Sequence, residues 1–158
     1  RMSTNFYTSM NSPVGPLTLF ADADSLVFLE WGRVPASNSS PLLNEATRQL
    51  TAYFDGYLTD FDLPLKPTGS DFQQRVWRGM LEIPYGAMET YGDLAARIGA
   101  DRKTSSRAVG RACDANPLPI LIPCHRVTGA NGKLTGYSAG EGIETKQALL
   151  RLEGATLI

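Results

Sequence analysis

The sequence predicts an α+β chain of two parts: a small antiparallel sheet with one helix over residues 1–69, then a mainly helical part over residues 70–158. Three observations carry this. Short β-branched and aromatic runs broken by turn residues fill the amino-terminal stretch, apolar residues at helical spacing recur from Leu43 onward, and the charges divide unevenly. Residues 1–70 hold four basic and seven acidic side chains, whereas residues 71–158 hold eleven and nine. Within the second part, Arg97, Arg102, Lys103, Arg107 and Arg111 face only Asp101 over residues 97–111.

Asn5–Met10, Pro16–Ala21 and Leu26–Trp31 read as strands of a meander, because Asn11-Ser12-Pro13-Val14-Gly15 and Ala21-Asp22-Ala23-Asp24-Ser25 between them are turn material. After a Pro/Ser-rich loop over 35–41, Leu43, Ala46, Leu50, Tyr53 and Phe54 fall on one helical face. Residues 59–69 read as loop or linker, with the boundary between the two parts there. Ser70-Asp71-Phe72-Gln73 is a capping-box pattern, so a helix is expected from about Ser70 to Glu82, ended by Pro84-Tyr85-Gly86. Thr90 is placed to cap a short helix through Leu94, Ala95 and Ile98. A polar turn over 100–104 then precedes a second helix from Ser105 or Ser106, carrying Arg107, Ala108, Val109, Gly110, Arg111 and Ala112. Helix, tight turn and basic helix is the order of a helix-turn-helix, although an ordinary helical hairpin is the simpler reading of the pattern alone. The small residues Ala108, Gly110 and Ala112 would let that helix approach another surface closely, a minor groove among them.

Composition narrows the function. The formal net charge of -1 argues against coating nucleic acid by bulk electrostatics, so any such contact must be local. Two cysteines and one histidine are too few for a closed zinc site, which takes about four such ligands. No run approaches the roughly 18 to 20 apolar residues of a membrane span, and no basic stretch leads into an apolar one at the start, so a cytoplasmic protein without membrane contact is expected.

The chemistry gathers at Asn116-Pro117-Leu118-Pro119-Ile120-Leu121-Ile122-Pro123-Cys124-His125-Arg126-Val127. Three prolines make an interior helix unfavourable and point to an extended segment that delivers Cys124 and His125 together. Neighbours on a regular strand face opposite ways, so the pair needs a bend, for which Pro123 is placed. A free thiol ionises at about pH 8.5, and a useful nucleophile needs a base or positive field beside it. His125 and Arg126 offer both, whereas an isolated buried cysteine is more often inert; Cys113, in the basic helix with no histidine beside it, takes that bland reading.

Pro-Cys-His-Arg-Val at 123–127 with the preceding Asn-Pro-Leu-Pro-Ile-Leu-Ile resembles the active-site signature of the O6-alkylguanine-DNA alkyltransferases. The likeness continues through Ile83-Pro84-Tyr85-Gly86, Thr90-Tyr91-Gly92, Arg107-Ala108-Val109-Gly110, Gly136-Tyr137-Ser138 and Leu149-Leu150-Arg151-Leu152-Glu153-Gly154. It is strong over residues 70–154 and weak before them. The run from Ser138 to Ile143 is longer than the family's usual pattern.

The resemblance implies a ribonuclease H-like amino-terminal structural domain and a carboxy-terminal DNA-binding, alkyl-accepting domain. It implies irreversible, single-turnover transfer of an alkyl group from O6 of guanine, with O4-alkylthymine a further candidate, onto Cys124, with no cofactor or metal. His125, a water and Glu153 would form the relay that deprotonates the thiol, and Asn116 would brace the loop before it. Tyr91 would help rotate the nucleotide and donate toward N3. Tyr137, Ser138 and Val127 would hold the base, with the Ser138 N–H aimed at O6. Arg107 would fill the space left by the flipped nucleotide, and Ser106, Ala108, Gly110, Arg111 and Arg126 would meet the DNA. The implied partner is double-stranded DNA bound through the minor groove by a monomer. Three other readings compete: a damage sensor of the alkyltransferase-like type, which lacks the acceptor that Cys124 supplies; a cysteine hydrolase, which leaves the helix-turn-helix unexplained; and a sequence-specific transcription factor, which needs base-reading Asn or Gln where small residues stand.

Overall fold

The computed structural model describes residues 6–155. The start of the expected first strand at Asn5 lies outside them. Two compact units emerge, Arg1–Thr68 and Gly69–Ile158.

In the first unit, β1 (Phe6–Met10), β2 (Leu17–Ala21) and β3 (Leu26–Trp31) form an antiparallel sheet in the order β1-β2-β3. Thr8 pairs with Leu19, and Leu19 with Leu29. A register shift at Phe20/Ala21 explains why the consecutive Leu26 and Val27 are both buried: an extra residue opposite β2 breaks the alternation of faces. Helix α1 (Pro41–Phe54) starts at Ser40, whose hydroxyl accepts from the Leu43 N–H, and buries Leu43, Ala46, Leu50, Tyr53 and Phe54. Residues 59–69 are not a slack linker. The Leu26 N–H donates to Pro64 and the Lys66 N–H to Leu26, while the Gln49 amide exchanges two hydrogen bonds with the Asp62 backbone.

In the second unit, α2 (Asp71–Leu81) has the full capping box between Ser70 and Gln73. It buries Val76, Trp77 and Met80, and the Trp77 indole donates to the Ala112 carbonyl at 2.8 Å. β4 (Glu89–Thr90) leads into α3 (Tyr91–Arg97), capped by Thr90, and then α4 (Arg102–Asp114). The second helix of this pair begins earlier than expected. The Asp101 carboxylate accepts from the Lys103 and Thr104 N–H groups, so the residue counted as turn material is the cap, and Ser106 lies inside the helix. Cys124–Arg126 form a 3-10 turn, followed by β5 (Val127–Thr128), parallel to β4. After a second 3-10 turn at Ala130–Gly132, the chain runs through a loop into α5 (Ile143–Leu152). No described helix is long and apolar enough to cross a membrane.

Candidate active site

The approach to Cys124 is a series of turns rather than the extended strand expected. Ile120 takes a positive φ of 73°, the Ile122 N–H reaches back to Leu118, and the Cys124 N–H donates to Ile122 at 2.8 Å. Three prolines exclude a helix but leave tight turns open, and Asn116 fastens these. Its Nδ2 donates to the Ile122 carbonyl and its Oδ1 accepts from the Leu118 N–H, each at 2.9 Å. The bend at Pro123 (φ -80°, ψ 65°) then starts the 3-10 turn that carries Cys124 and His125.

Cys124 is buried and lines a cavity of about 20 Å³ with Tyr91, Cys113, Asn116, Tyr137 and Ser138. That is room for about one water molecule. Burial pushes the thiol above its ordinary pKa, while hydrogen bonding from Asn116 and Tyr137 and the charge of Lys146 work the other way. His125 is fully buried, its Nε2 2.8 Å from Glu153 Oε2, and its Nδ1 is buried without a hydrogen-bond partner among the described residues. Burial holds the imidazole below its ordinary pKa of 6.5 against the opposing pull of Glu153, so it is neutral at physiological pH. With Nε2–H donating to the carboxylate, Nδ1 is left as an acceptor. Two members of the expected relay, the imidazole and the carboxylate, thus touch directly.

Arg126 corrects the reading of this residue as a DNA contact. Its Nε and Nη2 donate to Glu153 at 2.8 and 3.0 Å, its Nη1 donates to the Ile83 carbonyl at 2.6 Å, and only 6% of the residue is exposed. Three of its five N–H groups are taken by Glu153 and Ile83, and burial keeps the other two from reaching a phosphate. Val127, also expected at the base, has its side chain fully buried in β5 and does not line this cavity, which leaves its backbone as the part that could face a base.

Tyr91 is half-buried and borders both the Cys124 cavity and an open cleft of about 320 Å³ lined by Arg107, Gly110, Arg111, Thr135 and Gly136. Its phenol accepts from Thr135 Oγ1 at 3.3 Å, and burial raises its pKa. Arg107 and Arg111 are exposed, and Ser106, Ala108 and Gly110 are half-buried on α4. Nothing inside the protein requires glycine at 110, where a Cβ would meet Tyr91 Cε1 at an ordinary 4.0 Å. Tyr137 is half-buried and Ser138 exposed, and the Ser138 hydroxyl ties its loop to the Asp114 carbonyl at 3.1 Å. Of the five cations around α4, two are already engaged: Arg97 with Glu82 and Glu89, and Arg102 with Asp93.

Sequence reasoning missed three residues at this site. Lys146 is buried on α5, its Nζ donating to the Thr135 carbonyl at 3.3 Å and lying 5.9 Å from the centre of the Tyr91 ring. Its spacing to Leu149 and Leu150 places it on the buried face of the helix, a signal that was legible. Thr135 had no signal. Cys113 is part of the cavity wall as well as core, with its sulfur 3.5 Å from Met80 Sδ. A cleft of about 660 Å³ beside Glu82, Glu89, Asp93 and Arg97, far larger than the Cys124 cavity, holds none of the reactive groups, so size is no guide to the chemistry.

Residues 71–155 match the model of the 6-O-methylguanine DNA methyltransferase DNA-binding domain, and residues 5–67 that of the same proteins' ribonuclease-like domain. A methylated-DNA–protein-cysteine methyltransferase of Methanosarcina acetivorans is 45% identical over 95% of this chain and 99% of its own length. The one from Mycobacterium tuberculosis is 47% identical over 93% and 91%. A crystal structure of the M. tuberculosis OGT in complex with DNA matches with a TM-score of 0.82 at 47% identity, covering 93% of this chain and 92% of that one.

Proposed function

The chain belongs to the 6-O-methylguanine DNA methyltransferase family of direct-reversal DNA repair proteins, and on that premise we propose that Cys124 is its acceptor and residues 70–158 carry its chemistry. The observation that carries the proposal is one constellation: a buried thiol in a turn, the neighbouring imidazole held by Glu153 with Nδ1 free to accept, and a small cavity opening toward the exposed arginines of α4.

The thiol proton passes through a water to His125 Nδ1, the ring nitrogen left as acceptor. The thiolate sulfur attacks the alkyl carbon in line with its bond to O6, forming an S–C bond as the C–O6 bond breaks. Glu153 orients the imidazole and stabilises the imidazolium, and Arg126 keeps Glu153 in place. The electron pair of the broken bond goes to guanine, which takes a proton at N3 from Tyr91 while the Ser138 N–H faces O6. The product is a thioether that His125 and Glu153 have no means of reversing, so each chain acts once.

A base in a duplex hides O6 in the stack and must be rotated out, at a cost of a few kcal/mol. The Cys124 cavity is too small for a purine, so the 136–139 loop moves outward as the base passes from the cleft beside Tyr91. Helix α4 lies in the minor groove, where Gly110 and Ala108 permit close approach, Ser106 and Arg111 meet the backbone, and Arg107 occupies the vacated stack. The protein acts as a monomer in the cytoplasm.

The test is to incubate the protein with a duplex containing O6-methylguanine and read the Cys124 peptide by mass spectrometry. One methyl group per chain on Cys124 is expected, with no further turnover on excess DNA. Bound DNA with no methyl on Cys124 overturns the assignment.

A further inference from the structure

Lys146 is a buried charge for which the repair chemistry above has no use. It is 1% exposed, its ammonium has a single hydrogen bond to Thr135, and it makes no ion pair with a carboxylate among the described residues. An ammonium withdrawn from water without a counter-charge is among the costliest groups a fold can hold, and a methionine could fill the same space without that cost. Burial accordingly pulls Lys146 below its ordinary pKa, and an anion nearby is what would hold its charge.

The groups that face it are few. Tyr91 on α3 lies beside it, and Tyr91 shares one cavity wall with Cys113 and Asp114 from the end of α4 and with Cys124 from the 3-10 turn that also carries His125. The Tyr91 phenol is raised by burial and stays neutral. The Cys113 thiol is pushed far above its ordinary range by burial and also stays neutral. Asp114 is exposed to water and is the weakest of the three charge influences on Lys146, after Cys124 and Cys113. His125 can only add positive charge. Cys124 is left as the group that becomes anionic within reach of the ammonium.

We propose that Lys146 is a positioning residue for alkyl transfer, its ammonium, beside the Tyr91 wall of the active-site cavity, supplying the counter-charge of the Cys124 thiolate. No proton passes through it: His125 accepts the proton, and Lys146 holds the charge left on sulfur. The lysine favours the thiolate, and although its charge also opposes protonation of His125, that influence ranks behind burial, Glu153 and Arg126 there. The proposal rests on Cys124 being the acceptor. It deepens that reading by naming what offsets the burial of the sulfur.

The experiment reads Cys124 without DNA, so its failure is distinct from a failure of the repair reading, which shows as absence of methyl transfer from DNA. Iodoacetamide alkylation of the Cys124 peptide is followed against pH in the wild-type chain, Lys146→Met and Lys146→Arg. In Lys146→Met the midpoint should rise by about one pH unit, a roughly tenfold loss of thiolate near neutrality, and single-turnover transfer should slow in proportion. Lys146→Arg should recover much of the shift, and the melting temperature of Lys146→Met should hold or rise, because an uncompensated charge has been removed. A midpoint unmoved in Lys146→Met, or moved equally in Lys146→Arg, overturns the proposal. If Lys146→Met does not fold, Cys124→Ser serves with the lysine intact: by carbon-13 NMR at Cε, Lys146 should lose its proton at lower pH than in the wild type. An unchanged Lys146 titration overturns the proposal equally.

Discussion

Glu153 stands at the junction of two buried side chains, accepting from the Arg126 guanidinium on both oxygens while one of them also meets His125. Replacing it as Glu153→Gln leaves the guanidinium buried without its counter-charge, and breaking such a pair costs about 3–5 kcal/mol. We expect a large drop in melting temperature together with slow transfer; a variant with wild-type melting would show that the carboxylate serves the reaction alone. His125 sets a pH dependence of stability. Burial lowers its folded pKa below the 6.5 of an ordinary imidazole, so between the two values the unfolded chain binds the proton and the folded one does not. Its contribution is therefore present above pH 6.5 and lost as pH falls through the lowered value. Denaturant unfolding between pH 8 and 5 should show this slope in the wild-type chain and a shallower one in His125→Gln; equal slopes would remove His125 as the source. At this scale the sequence made Cys124 and His125 legible through their adjacency after the prolines. It left Arg126 misread and Lys146 unnoticed, because a charged head is normally in water and only a partner elsewhere in the chain, Glu153 for one and the Thr135 carbonyl for the other, holds it inside.

At the scale of elements, α4 carries the test of how DNA is met. A Cβ at position 110 has space within the protein, so Gly110→Ala should stabilise the helix by up to about 1 kcal/mol, through the lower conformational freedom of alanine. The same methyl group stands where a groove would press, so binding to damaged duplex should weaken as melting temperature rises, measured by fluorescence anisotropy and thermal unfolding. Weaker binding with a destabilised fold would trace the effect to packing instead. Arg107→Ala should slow transfer from duplex DNA far more than from the free modified base, because only the duplex must be opened; equal losses on both would exclude a flipping role. The capping box at Ser70 and the turn ahead of Pro84 were readable because their partners lie within a few residues. The start of α4 was misplaced because Asp101 is equally at home in a turn or at a cap, and its choice depends on the helix that follows.

At the scale of the molecule, the net charge of -1 hides a local excess that the structure trims further. With Arg97 and Arg102 held by carboxylates, Lys103, Arg107 and Arg111 are the cations of residues 97–111 left for phosphates. Each phosphate neutralised contributes about -0.9 to the slope of log affinity against log salt, so a slope no steeper than about -3 is expected, with little preference among undamaged sequences. A much steeper slope would bring in basic residues outside α4. The sequence by itself determined the α+β division, the order of the helices and the adjacency of Cys124 and His125, because helical and strand periodicity, caps and neighbouring residues are local properties of the chain. Tertiary structure alone decided that Glu153 meets His125 directly, that Arg126 is sealed inside, that Cys113 shares the cavity with Cys124, and that Lys146 lies beneath Tyr91. Each of these brings together residues far apart in sequence, and burial, which turns an ordinary surface charge or thiol into a costly interior one, is a property only the folded chain possesses.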